Sequence, residues 1–363
     1  MNEKSEADPF CTGILAPTSP RFSVIVPCYN YGRYLRQAVI SVLSQTAADI
    51  RVLILDDASS DESGEVASAL VAQDRRVELV RHKVNRGHIA TYNEGLEWAN
   101  GDFFMLLSAD DLLLPGAFGR AAALYAACPE VVLTYGYCLD VGDDASVELQ
   151  APASPPRLDW TVFPGQDFLA RSGHRNLVPT PTAIVRTEVQ RIVGPYRQEL
   201  PHCGDMEMWW RFAAHGAVGF IHDYQAVKRT HRLNMAHQYY SGWLPDLEQR
   251  EKAIAIFYHD YSSQVIDSPG LKAQAEQSLA RMALHCARSA LLQSKMQSFD
   301  QIMDFARRID PQVAASRGWQ WLVWLRGIRA PIWPLVARAV AVSRSRMPWL
   351  VKLVSNQRFA AFD

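Results

Sequence analysis

Between residues 21 and 137 the chain alternates short β-rich apolar runs with stretches whose apolar positions recur every three or four residues. Arg21–Pro27 (RFSVIVP) predicts a strand halted by proline, and Cys28–Gly32 a turn. From Arg33 to Gln45, Leu35, Val39, Ile40 and Val42/Leu43 recur at helical spacing. A strand at Ile50–Leu55, a helix near Glu62–Ala72 and a strand near Val77–Arg81 follow. Next comes a helix over Ile89–Ala99, with Asn100-Gly101 as its C-terminal cap. Phe103–Leu107, five apolar residues in a row, reads as a strand buried on both faces, and Ala117–Ala127 and Val131–Tyr137 continue the alternation. Strands alternating with helices of about ten residues imply βαβ units, an α/β fold with a mostly parallel sheet.

Three of these strands run out into polar turns, carrying Tyr29/Asn30, Asp56/Asp57 and Asp110/Asp111. All three would open onto one edge of the sheet, where ligands bind in open α/β folds. Two carboxylates at the mouth of a buried strand are costly to desolvate unless a cation sits on them. A divalent ion sharing oxygen ligands with a phosphorylated substrate would meet that need. An Asp-rich turn with no ligand accounts for the pair as well.

Farther on the pattern loosens. Residues 142–165 lose periodicity and carry several prolines, which predicts a long surface connection. Pro179–Arg186 returns to a strand, Met206–Ala214 is an aromatic-rich helix, Val218–His222 a short strand, and Lys228–Asn234 a basic, His-bearing segment. Leu244–Gln312 is almost entirely helix-forming. From Arg317 to Arg358 there are eight Lys/Arg and no acid, interleaved with Trp319, Trp321, Trp324, Trp333 and Trp349. The expected organisation is a loose tail over 1–20, an α/β domain over 21–240 and an all-α region over 241–363, basic and Trp-rich from 317.

Composition narrows the class only a little. With 363 residues and a net charge of -1, the chain has length for about two domains and no global pull toward nucleic acid. The six cysteines form no C-x-x-C pair and several fall in apolar runs, which fits buried reduced thiols in a cytoplasmic protein. The first twenty residues do not read as a signal peptide, and no apolar run reaches the roughly 18–20 residues of a spanning helix. Neither G-x-G-x-x-G nor G-x-x-x-x-G-K-[ST] is present.

Five blocks, in order, carry a resemblance: SVIVPCYN, LILDDASSD, NRGHIATYNEGLEWANGDFFMLLSADD, GDMEMWWRFA and KRTHRLN. Together they resemble the signature of family 2 glycosyltransferases over about residues 21–235. The resemblance implies a GT-A type, Rossmann-like sheet flanked by helices, and inverting transfer from a nucleotide-diphosphate sugar, usually a UDP-sugar. It implies Mn²⁺ or Mg²⁺ as cofactor and a glycan or lipid-linked acceptor, in surface polysaccharide assembly. Pro27 and Tyr29, with Asn30 beside them, match positions lining the nucleobase, and Asp57 the carboxylate that reads the base. Asp110 matches an acid at the ribose or metal, Asp111 the metal ligand, and His231 a residue that in some members touches metal or diphosphate. Asp205 matches the general base. An acid common in the family is Ser108 here, and a common Arg is Tyr92, which would move a diphosphate contact to Arg86.

Simpler readings stand beside these. Asp57 would cap the helix after it, Asp205 would be an N-cap, and His231 would belong to a solvated basic loop. Glu207, four residues before Arg211, reads as a helix ion pair, and one of Trp209 and Trp210 as core. The 317–358 stretch fits a helix lying on an anionic inner leaflet, or a subdomain or dimer contact. A nucleotidyltransferase, or a non-catalytic nucleotide-sugar-binding module, remains the alternative. Oligomeric state is left open.

Overall fold

The computed structural model describes residues 20–46, 49–143, 158–231, 234 and 243–327. The expected N-terminal tail and most of the 317–358 stretch lie outside these residues.

A βαβ progression builds the first half: β1 (Arg21–Cys28), α1 (Gly32–Leu43), β2 (Asp49–Asp56), α2 (Ser63–Gln73), β3 (Val77–Arg81), α3 (His88–Trp98) and β4 (Phe103–Leu106). In α1, Leu35, Val39 and Val42 are buried, each worth about 1.5–3 kcal/mol of apolar transfer, whereas Ile40 faces solvent. Phe22 of β1 stacks on Phe118 at 4.2 Å within the same core. Beyond β4 come β5 (Leu112–Leu113), α4 (Ala117–Ala127), β6 (Val131–Gly142), β7 (Trp160–Phe163), α5 (Gly165–Ser172), β8 (Ile184–Arg186), α6 (Thr187–Val193), α7 (Gly204–His215) and β9 (Ala217–Thr230).

The strands form one mixed sheet in the order β3-β2-β1-β4-β8-β6-β9-β5, with β7 on β9. The long registers are parallel, β2 and β4 flanking β1 and β9 running beside β6; the antiparallel pairs are short. Because β1, β2 and β4 run the same way, their carboxyl ends share one edge, as the polar turns implied. The backbone then ties the turns together: Asp57 N–H donates to the Cys28 carbonyl and Ala109 N–H to that of Pro27.

Several expectations shift. No left-handed glycine caps α3, which ends at Ala99 in extended backbone. Gly101 is needed for closeness instead, since a Cβ there would stand 2.7 Å from the Arg21 carbonyl oxygen. The strand expected from Pro179 begins only at Ile184. Two prolines that cannot donate to a ladder leave Thr180–Thr182 as a 3₁₀ turn. The last strand runs 14 residues rather than five, because register shifts against β6 let pairing resume past the polar break at His222-Asp223. Part of the expected loop is β7, paired antiparallel to β9, and residues 144–157 of it lie outside the described residues.

Residues up to Leu279 form one compact unit and those from Ala280 a second. The boundary expected at 240 falls inside the first. There α8 (Leu244–Asp260) is bound in place by Asp246, which accepts from His202 at 2.8 Å, and by Arg250, which donates to the His174 carbonyl at 2.8 Å. The second unit starts within α9 (Ser268–Leu292) and continues through α10 (Met296–Ile309) and a helix over 317–327. In that last helix Leu322 is buried while Trp321, Val323 and Trp324 face solvent. No described helix is long and apolar enough to cross a membrane.

Candidate active site

A cleft of about 1150 Å³ opens at the carboxyl edge of β1, β2 and β4. Its walls include Pro27, Tyr29, Asn30, Asp57, Asp110, Asp111 and Asp205. These seven come from the first strand to the seventh helix, and the fold brings them to one cavity. Arg86 and His231 do not line it, although both are bonded to residues that do.

Asp57 does not cap a helix with its side chain. Its Oδ1 accepts from Arg86 N–H at 2.8 Å and pairs with His82 Nδ1 at 2.6 Å, and its Oδ2 accepts from Gly87 N–H at 2.9 Å. Burial alone would raise its pKa, but the bonds from Arg86, His82 and Gly87 outweigh burial and hold the carboxyl below the usual range. Each oxygen has two acceptor positions, so one remains, on Oδ2. Asp56 takes the structural part of the pair, accepting from Ser59 N–H and from Arg81 Nε. Asn30, in left-handed backbone at φ 59°, clasps the same loop: its amide oxygen accepts from Ser60 N–H at 2.8 Å. The Arg86 guanidinium turns away to Glu94.

Asp110 and Asp111 are both buried. Asp110 Oδ2 accepts from His231 Nε2 at 2.9 Å and Asn234 Nδ2 at 3.1 Å, while its Oδ1 is buried with no hydrogen-bond partner. Asp111 Oδ1 accepts from Arg229 N–H at 3.0 Å. Burial first, and then the neighbouring Asp110, push the Asp111 carboxyl well above its usual range. Two desolvated carboxyls side by side, one with an unmatched oxygen, are the arrangement a divalent cation relieves. His231 is no solvated loop residue: its ring is buried, stacked on Tyr34 at 5.1 Å, with its Nε2 engaged by Asp110.

Asp205 sits inside the first turn of α7, whose N-cap is Cys203, so it is not the cap. Asn176 Nδ2 and Thr180 Oγ1 donate to its Oδ2 at 2.9 and 2.8 Å, and Met206 N–H to its Oδ1 at 2.8 Å. One acceptor position stays open on Oδ1. Asn176 and Thr180 escaped the sequence because nothing ties them to a carboxylate more than twenty residues on; only the turn made by Pro179 and Pro181 delivers them. Asn234, inside KRTHRLN, likewise received no role. Trp209 and Trp210 are both core, Trp210 Nε1 donating to Ser172 Oγ at 2.7 Å.

His202, Cys203 and Asp246 also bring ligand atoms within 4.8 Å of one another. Asp246 is already matched there by His202 and by Arg250 Nε at 2.9 Å, and burial drives the Cys203 thiol far up, away from thiolate. That group reads as a buried tie between α8 and the start of α7. Cys28, Cys138 and Cys203 are free thiols.

Residues 23–163 match the family model described as glycosyl transferase family 2. An uncharacterized glycosyltransferase of Rickettsia typhi is 27% identical over 248 residues, 64% of this chain and 74% of that protein. The glycosyltransferase GlyG of Streptococcus pneumoniae is 38% identical over 96 residues, 26% of this chain and only 32% of its own length. Among solved structures, S. aureus TarS 1–349 in complex with UDP-GlcNAc superposes with a TM-score of 0.60 at 16% identity, covering 85% of this chain and 87% of that one. At that identity the likeness is one of fold alone. The sheet that carries the cleft, the family match along its first half and these relatives agree: residues 23–163 match glycosyl transferase family 2, and the chain as a whole is similar to glycosyltransferases.

Proposed function

We propose that this protein is a glycosyltransferase that moves a hexosyl group from a UDP-sugar, with inversion, onto a hydroxyl of a glycan or lipid-linked acceptor in surface polysaccharide assembly. The observation that carries the reading is the buried Asp110/Asp111 pair, with its partnerless Asp110 Oδ1, in the same cleft as Asp57 and Asp205.

Asp110 and Asp111 would hold Mn²⁺ or Mg²⁺. When bound, the ion neutralises charge on the diphosphate as the nucleotide departs. The open position on Asp57 Oδ2 suits the imide N–H of uracil, with Pro27 and Tyr29 beside the base and Asn30 bracing the loop. Asp205 takes the acceptor proton at Oδ1, Asn176 and Thr180 keeping the other oxygen in place. The acceptor oxygen bonds to the sugar C1, the bond from C1 to the diphosphate oxygen breaks, and the nucleotide diphosphate leaves with that electron pair. His231 acts here by orienting Asp110. For the diphosphate, Lys228 is the better placed cation: it lines the cleft near Asp111, whereas Arg86 is spent on Glu94.

Working at the inner leaflet is part of the proposal. The solvent-facing Trp321 and Trp324 between Arg317 and Arg326 support it, as an amphipathic basic surface would.

The test is calorimetric titration of UDP with and without Mn²⁺, on the native protein and on Asp111→Asn. Mn²⁺ is expected to tighten UDP about tenfold or more in the native protein only. No UDP binding in either condition would sink the donor assignment, and titration with GDP and dTDP would identify the base.

A further inference from the structure

A row of aromatic rings leaves the cleft across the sheet. On β6, Tyr135 and Tyr137 stand two residues apart on one face; from β9, Phe220 and Tyr224 meet them. The Phe220 ring centroid lies 5.1 Å from Tyr135 and 5.0 Å from Tyr137, and Tyr224 lies 5.6 Å from Tyr137. Tyr135, Tyr137 and Phe220 line the cleft, and Tyr224 carries the row past its rim.

Gly136 makes the row possible. A Cβ there would stand 2.6 Å from Gln225 Cγ and 2.9 Å from the carbonyl oxygens of Ile221 and Asp223. Without a side chain, β9 comes close enough at its bulge to set its rings against those of β6. The Gly136 N–H also donates to Thr182 Oγ1 at 3.4 Å, in the 3₁₀ turn whose Thr180 holds Asp205. The row is therefore anchored to the turn that positions the proposed base.

Sheet stability explains only part of this. Cross-strand aromatic pairs stabilise a sheet, and Tyr135, 7% exposed, needs no other reason. Tyr137 and Tyr224 remain 45% and 47% exposed, and neither hydroxyl has a hydrogen-bond partner among the described residues. An exposed ring face with a free hydroxyl is amphipathic, matching a pyranose, whose C–H face stacks while its hydroxyls donate and accept. A lipid or a second copy of the chain would call for a broader aliphatic patch than two tyrosines provide.

Resting on the reading of the cleft as a glycosyl-transfer site, we infer that Tyr137 and Tyr224 form an acceptor subsite. It stacks successive sugar rings of an oligosaccharide and leads its reacting end to Asp205. Asp140, which lines the cleft beside the row, makes the site suit hydroxyl- or amine-bearing sugars over carboxylated ones.

The test uses the full chain on an array of bacterial surface oligosaccharides, followed by titration of the strongest binder. Variants are Tyr137→Ala, Tyr224→Ala, the double alanine variant, and Tyr137→Phe and Tyr224→Phe. Each alanine is expected to weaken glycan binding about tenfold, as loss of an anchoring tyrosine does, while each phenylalanine stays within about threefold. UDP affinity is expected to be the same throughout, which shows that the variants fold. It also separates the two readings: loss of UDP binding in the native protein sinks the donor site, and the array decides the subsite by itself. The subsite is overturned if no glycan binds, or if the double variant binds as well as the native protein. It is equally overturned if the substitutions change self-association or phosphatidylglycerol-vesicle binding in place of glycan binding.

Discussion

His231 Nε2 lies 2.9 Å from Asp110 Oδ2, joining two buried side chains 121 residues apart. Asn234 adds a second bond to the same oxygen, and Tyr31 packs edge-on against the imidazole at 5.3 Å. The far end of β9 thus sets which way the Asp110 carboxylate faces, and leaves Oδ1 as the oxygen without a partner.

Removing that support should loosen Asp110 while leaving the proposed nucleotide pocket intact. In His231→Ala, the gain in UDP affinity on adding Mn²⁺ should shrink about tenfold, the scale of one charge-assisted hydrogen bond. Metal-free UDP affinity should hold. Calorimetry reads both, and an unchanged Mn²⁺ gain would remove His231 from the site.

Asp57 supports the fold and, in the proposed reading, the nucleotide as well. Asp57→Asn must point an amide N–H₂ toward a backbone N–H it formerly accepted. The cost should be about 2 kcal/mol, or roughly 3 °C in unfolding temperature for a chain of this length. UDP affinity should fall further than that loss of stability explains. Thermal melts and titration on the same samples separate the two effects.

Asp205→Asn keeps the shape of the side chain but cannot take a proton. Asn176 and Thr180 still donate to its oxygen. Transfer to acceptor should drop about 10²–10⁴-fold with UDP affinity intact. Transfer at the native rate would exclude Asp205 as base.

Behind α7 lies an ion-pair cluster with no proposed part in chemistry. Glu207 is buried between Arg211 Nε at 2.9 Å and Arg197 Nε at 3.0 Å. Glu207→Gln leaves Arg211 buried without a countercharge and should cost about 3–5 kcal/mol. Urea unfolding gives the number; a cost under about 1 kcal/mol would mean that water reaches the site.

His174 makes stability depend on pH. Burial, with Arg250 and Arg175 nearby, lowers its pKa to about 3, against 6.5 in an unfolded chain. Below pH 6.5 the unfolded state takes up a proton that the folded state refuses until about pH 3, so stability falls as pH falls through that window. At about 1.4 kcal/mol per unit, some 2 kcal/mol should be lost between pH 7 and 5. Denaturant curves at pH 7 and 5 should show this for the native protein, and a loss smaller by about that amount in His174→Asn.

The strands were legible because five-residue apolar runs admit few other structures, and the polar turns because Asp and Asn stop a ladder. Asp110/Asp111 and Asp57 stood out in the sequence as the acids of polar turns and Asp205 through the resemblance, and the structure brings all four to one cleft. Elements such as β7 and α6 were not legible. Their patterns are too short for a period to show, and they form only because β9 and α7 are there to receive them.

The amino-acid sequence determined the alternation, the edge to which the polar turns run and the acids they carry, since these depend on neighbours in the chain. The partners of those acids were decided only by tertiary structure. Asp110 meets His231, Asp57 meets the start of α3, Asp205 meets Thr180, and Tyr137 meets Tyr224, each across tens of residues. Hydrogen bonds and ring contacts act over a few ångströms, so only the packed chain establishes which groups come within reach.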